Sequence, residues 1–230
     1  MKKFLLATVV LLGSISLANA ERFNMGITVS GALFEADGAE EIFSGDHSSN
    51  TTTTKVTKKS SAEGEQAEAA VLIGSIFAEV NANDNISLGV SYTPHSMDSE
   101  TAENIQNFST ATGNDAKSTN TVKLSFEDLT TVYVLLRNEN VYVKAGYVAV
   151  DVNTEESLAT GGAYPNTDLD GSMVAIGYSM DLADGMFARF EAMYMDLDGA
   201  TVTNTNDSNK SVKADGISGY GAGVSIGKSF

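Results

Sequence analysis

The sequence predicts an all-β fold, a transmembrane antiparallel up-and-down β-barrel of eight strands. Three observations predict it. Eight segments alternate apolar and polar residues with the period of two that marks a strand, and helical 3.6-residue periodicity is almost absent. The connections between these segments alternate between long and short. Beyond residue 20 no apolar run approaches the roughly 20 residues that a membrane-crossing helix needs.

The first twenty residues read as a cleaved secretory signal peptide rather than as structure. Lys2 and Lys3 precede an apolar stretch, and Ala18-Asn19-Ala20 forms a small-x-small cleavage site. Cleavage after Ala20 is expected, leaving 21–230 as one barrel domain. Residue 21 is Glu21, so no cysteine stands there to take a lipid anchor. Without Lys2 and Lys3 the formal net charge falls from −16 to −18, which argues against nucleic acid as a partner. The absence of cysteine excludes disulfides, thiol catalysis and thiolate metal sites.

The segments lie near 22–34, 66–81, 85–96, 120–137, 140–151, 170–181, 185–198 and 216–230. In the first, one face carries Phe23, Met25, Ile27 and Val29; in the second, Leu72, Ile76, Ala78 and Val80. Ile86, Leu88, Val90 and Tyr92 continue the pattern, then Val132, Val134 and Leu136, then Val141, Val143, Ala145 and Tyr147. The last three contribute Val174, Ile176, Tyr178 and Met180; Met186, Ala188, Phe190, Ala192 and Tyr194; and Tyr220, Ala222, Val224, Ile226 and Phe230.

Tight turns ("ANDN", "NEN" and "DLADG") join segments two to three, four to five and six to seven. Long polar loops, near 35–65, 97–119, 152–169 and 199–215, join the others. That is how an outer-membrane barrel sorts extracellular loops from periplasmic turns. Tyr92, Tyr147, Tyr194 and Tyr220 all face outward about seven to ten residues above the turn end, where an aromatic belt belongs.

The chain closes on "GYGAGVSIGKSF", a strand that alternates outward apolar residues and ends in Phe230. In this it resembles the small eight-stranded outer-membrane barrels of Gram-negative bacteria, the OmpA, OmpX and OmpW kind. The resemblance implies that Phe230 and its strand are an insertion signal read by the barrel-insertion machinery, and that the protein resides in the cell outer membrane. Lys228 departs from the family pattern on the outward row, where its amine is expected to snorkel. The family includes structural proteins, adhesins, small pores and enzymes, so the resemblance implies architecture more than role.

Opposite parity gives the lumen, which in eight strands is just wide enough for side chains. A charge cluster of Glu79, Arg137, Lys144, Arg189 and Glu191 is expected low in the barrel, with the hydroxyls of Tyr133 and Tyr142 beside it. Above it an apolar layer of Ile73, Leu129, Val148 and Met193 is expected, facing Gly219, Gly221, Gly223 and Gly227. These glycines miss the G-x-G-x-x-G spacing of a nucleotide fingerprint. The interior therefore reads as a salt-bridged plug, or else as a gated path for small or hydrophobic solutes.

"DLDG" occurs at 168–171 and again at 196–199. A hairpin centred near residue 183 would place Asp168 near Asp198 and Asp170 near Asp196, all pointing outward at the outer rim with Asp151. Such carboxylates could hold Ca²⁺ or Mg²⁺ as a bridge to lipopolysaccharide, although neither motif fits a twelve-residue calcium loop. No other cofactor is expected. Outer-membrane lipids and lipopolysaccharide are the expected partners, and the protein is expected to be a monomer because closure removes the sheet edges.

Enzyme chemistry has little support. His47 sits in a low-complexity loop, and His95 is followed by Ser96, on the opposite face of an extended strand. The sequence therefore predicts a non-enzyme with a structural or surface-exposed envelope role. A narrow porin-like channel is the alternative, and a lipid-modifying barrel enzyme the third.

Overall fold

The computed structural model describes residues 23–42, 65–99, 102–109, 115–158, 162–206 and 210–230. The expected signal peptide, His47 and the greater part of the first loop lie outside the described residues. Ten strands form the wall: β1 (Phe23–Ile42), β2 (Glu65–Asn81), β3 (Ile86–Tyr92), β4 (Met97–Asp98), β5 (Ala102–Ser109), β6 (Asp115–Asn138), β7 (Val141–Leu158), β8 (Thr167–Asp181), β9 (Met186–Thr203) and β10 (Lys210–Ser229). Each pairs antiparallel with its neighbours. Pairing of β10 with β1 and of β3 with β6 closes the ring, in which β3, β4 and β5 share one of eight wall positions. The eight-stranded closed barrel predicted by the alternation is therefore the fold.

Inside-outside sorting follows the pleat. Ile27, Val29, Ile76, Val174, Ile176, Val224 and Ile226 are all about half exposed or more, although each stands in a regular strand. In water such a band would be unfavourable at roughly 25 cal/mol per Å² of apolar surface. Against lipid it is the required outer face, and closure leaves no unsatisfied backbone within it. The chain spans a membrane by these strands. Tyr147, Tyr194 and Tyr220 mark the outer limit of the band, 42%, 46% and 55% exposed, with Tyr194 and Tyr220 direct cross-strand neighbours. Tyr92 holds the same level on β3, its hydroxyl donating to Asp128 at 2.5 Å.

Beyond the tyrosines the strands run further than the sequence predicted. β1 reaches Ile42, β7 reaches Leu158, β9 reaches Thr203, and β6 begins at Asp115. The alternation signal fades there, yet the cross-strand ladder continues. Parts of the segments expected as loops at 97–119, 152–169 and 199–215 are thus strand. The third segment, expected to run to residue 96, instead stops at Tyr92. Pro94 lacks the N–H a ladder needs, and the chain leaves the sheet over Thr93–Ser96 before β4 and β5 resume on β6 alone.

One irregularity redirects side chains. The β6–β7 register shifts between Glu127 and Thr130, where Asp128 adopts φ 54°. This bulge inverts the parity of β6. Below it Leu129, Thr131, Tyr133 and Leu135 are buried; above it Leu124 and Phe126 pack against the core instead.

Candidate functional site: the lumen

The interior has two layers. At the turn end, Arg189 of β9 reaches across to Glu79 of β2 in a two-pronged pair, Nη1 to Oε1 at 2.6 Å and Nη2 to Oε2 at 2.8 Å. Both side chains are almost wholly buried, at 1% and 0% exposed. Lys144 of β7 pairs with Glu191 of β9 at 2.6 Å. Tyr133 donates its hydroxyl to Glu79 and Tyr142 donates to Glu191, each at 2.9 Å. Asn24 adds a 3.1 Å bond to Glu79 and a 3.2 Å bond to Asn81, which also accepts from Ser87 at 2.6 Å. The Arg189 guanidinium lies 4.5 Å from the Phe187 ring centroid and 5.5 Å from that of Phe77. A bidentate pair whose lone pairs are taken up by further donors is the arrangement in which buried charge is tolerated.

The structure thus brings together Glu79, Arg189, Lys144 and Glu191. Arg137 stands apart: it is half-buried, and no carboxylate lies within ion-pairing distance of it among the described residues. Asn24, Asn81, Leu135 and Phe77 complete the layer and share the inward parity of their strands, which is the signal that would have found them.

Toward the loop end the lumen is apolar. Ile73, Leu129 and Val148 are buried there as a layer, and Met193 packs against them. The layer is far thicker than four residues. Val150, Val152, Leu169, Met173, Met195, Leu197 and Ile217 belong to it, with Leu124 and Phe126 delivered by the bulge. Gly219 makes room here, since a β-carbon on it would overlap the Phe34 ring; Gly227, expected to face this layer, instead lies at the turn end, where a β-carbon would overlap the Phe187 ring.

Between the layers lies a cavity of about 60 Å³. Its walls include the hydroxyls of Thr28, Ser75 and Thr131, the Lys144–Glu191 pair, and Met193.

The wall has a seam. β2 pairs with β1 from Glu65 to Val80, but with β3 only from Ile76 to Asn81. Between Glu65 and Ser75 its other edge meets no strand among the described residues. His95 covers the lower end: Nε2 accepts the Gly74 N–H at 2.9 Å, and Nδ1 lies 3.1 Å from the Ser96 carbonyl oxygen. Both ring nitrogens therefore serve the backbone, and no hydroxyl is bonded to them among the described residues. On the far side Lys123 binds Asp98 at 2.7 Å, clamping β4 to β6, and this bond holds the Asp98 carboxyl below the usual range.

The rim carboxylates fall out differently from the expected hairpin. The β8–β9 register pairs Gly171 with Leu197 and Ser172 with Asp196, two residues away from the expected alignment. Asp196 therefore stands beside Ser172, not Asp170, and Asp168 stands opposite Asp151 on β7, not beside Asp198. The cause is the turn, whose one short 3₁₀ segment is Ala183–Gly185, with Asp184 at φ 60°, so the hairpin centres on residue 184. Among the described residues no group of three or more acidic or histidine side chains is placed to hold a metal ion.

No family model matches the chain, and no curated protein does. Among solved structures the chain is similar to the outer-membrane protein AlkL in lipid bilayers, at 9% identity over 91% of this chain and 90% of that one, with a TM-score of 0.49. It is similar to OprG from Pseudomonas aeruginosa at 13% identity, 89% and 96% coverage and a TM-score of 0.43. Ail of Yersinia pestis follows at 11% identity, 89% and 99% coverage and 0.36. These are likenesses of barrel architecture.

Proposed function

We propose that this protein is an outer-membrane barrel of a Gram-negative envelope with a structural or surface-exposed role and a lumen that does not conduct. The carrying observation is the buried Glu79–Arg189 pair, whose Glu79 also accepts from Tyr133 and Asn24, beneath a cavity of about 60 Å³. A hydrated ion following the axis would have to break that pair, and leaving either charge unpaired in a buried site costs about 3–5 kcal/mol. The short turns then face the periplasm, and the long strands extend the barrel outside the cell, where surface contacts are made. His95 acts as a backbone strap in this reading, and the protein is not an enzyme. Reconstitution in planar bilayers tests it: silent membranes are expected, and reproducible current steps would refute the plug.

A second reading has its own observation. The seam beside β2 opens from the thick apolar upper lumen, and it begins at the level of the tyrosine belt, where an unpaired edge no longer sits in hydrocarbon. Apolar solutes entering from outside would leave sideways into the outer leaflet without passing the charged floor. Under this reading an apolar fluorescent solute loads into vesicles carrying the barrel faster than into bare vesicles. Equal rates would remove it.

A further inference from the structure

The charge layer at the turn end is unbalanced. Its carboxylates are Glu79 and Glu191, and its cations are Arg137, Lys144 and Arg189; two ion pairs consume all but Arg137. The Nε of Arg137 is buried with no hydrogen-bond partner. Two further buried groups in this layer are in the same condition, Nε of Arg189 and Oγ of Ser179, on residues only 1% and 4% exposed. Ser179 and Arg189 are direct cross-strand neighbours. The Ser179 backbone N–H is committed to the Asn140 carbonyl at 2.7 Å, so its unused capacity is the inward hydroxyl. Arg137 is the direct cross-strand neighbour of Tyr142, whose ring centroid lies 5.4 Å from the Arg189 guanidinium, so the register brings the two arginines to the same part of the floor. Asp181 is exposed at the mouth and makes no ion pair with Arg137.

Buried donors are stable only when something accepts from them, and a half-buried cation set close to another is stabilised by a balancing charge. Guanidinium N–H groups and a serine hydroxyl are donors suited to an anion. We propose that Arg137, Ser179 and Nε–H of Arg189 together hold one small monovalent anion of the halide class at the turn-end floor of the lumen. Charge selects the class, because one positive charge is left over and a divalent phosphate would reverse the imbalance. The anion is a resident counter-charge of the plug, so the site stands whether or not the upper lumen carries solutes.

The test uses chloride on the folded barrel in detergent micelles. ³⁵Cl nuclear magnetic resonance should show line broadening by the wild-type protein that added bromide reverses. At constant ionic strength, replacing gluconate by chloride should raise the melting temperature. Arg137→Met should abolish both effects. Ser179→Ala removes only a hydroxyl and should weaken chloride binding by about tenfold. Asp181→Asn, which removes a nearby negative charge, should strengthen it. Should Arg137→Met fail to fold, the serine variant decides alone: full wild-type broadening in Ser179→Ala overturns the site. Wild-type protein that broadens no chloride signal overturns it equally.

Discussion

At the scale of single residues, stability turns on Glu79 and Arg189. Arg189→Met removes one partner and strands the other in a site that is 0% exposed. The expected loss is about 3–5 kcal/mol in urea unfolding of the reconstituted barrel. Removing both charges in Glu79→Leu/Arg189→Met should recover most of that loss, since a buried pair and an apolar pair of like volume differ little. If the double variant is as unstable as the single one, stranded charge is not the cause. Above the tyrosine level, outside the membrane-spanning segments, Asp151 lies opposite Asp168. Burial first, then the bond and charge of Asp168, and then Asp128, push its carboxyl up to about 6. A carboxyl raised by folding stabilises the native state when protonated. That contribution is fully present below the ordinary carboxylate range, near pH 4, and is lost as pH rises through about 6. Wild type should therefore gain melting temperature between pH 7.5 and pH 5 relative to Asp151→Asn, and parallel profiles would refute the assignment. The inward charges were legible by parity alone. The isolation of Arg137 was not, because pairing depends on how strands from opposite walls lean together.

At the scale of elements, β10 is a receiver at both its levels. Its glycines leave space that Phe34 and Phe187 fill from neighbouring strands. Gly227→Leu would overlap the Phe187 ring and should cost about 1–3 kcal/mol by overpacking. Combining it with Phe187→Ala should restore a stability closer to wild type than either change alone; additive losses would show that the ring does not occupy that space. The outward faces of β1 to β3 and β6 to β10 could be read directly, since lipid imposes strict alternation within the membrane. The bulge at Asp128 was not readable. A one-residue insertion leaves no mark in a polar stretch such as "SFEDLTT", so Leu124 and Phe126 gave no signal that they belong to the lumen. Pro94 was visible in the sequence and was the one available sign that the third strand ends early.

At the scale of the molecule, closure reconciles an exposed apolar exterior with a charged interior. The same eight-stranded ring that hides its backbone from lipid leaves a narrow lumen filled largely by side chains. Two layers then divide the lumen: the turn-end layer is charged and paired, and the loop-end layer is apolar and flanked by the seam that His95 straps. The ring was legible because strand count, loop order and exterior pattern all derive from the bilayer. The seam was not, because it arises from which strand ends fail to meet. Single-channel recording in planar bilayers tests the sealed lumen most directly, comparing wild type with a Glu79→Ala/Arg189→Ala variant. Wild type should give no current steps while the variant gives small ohmic ones; steady wild-type conductance, unchanged by removing the pair, would contradict the account.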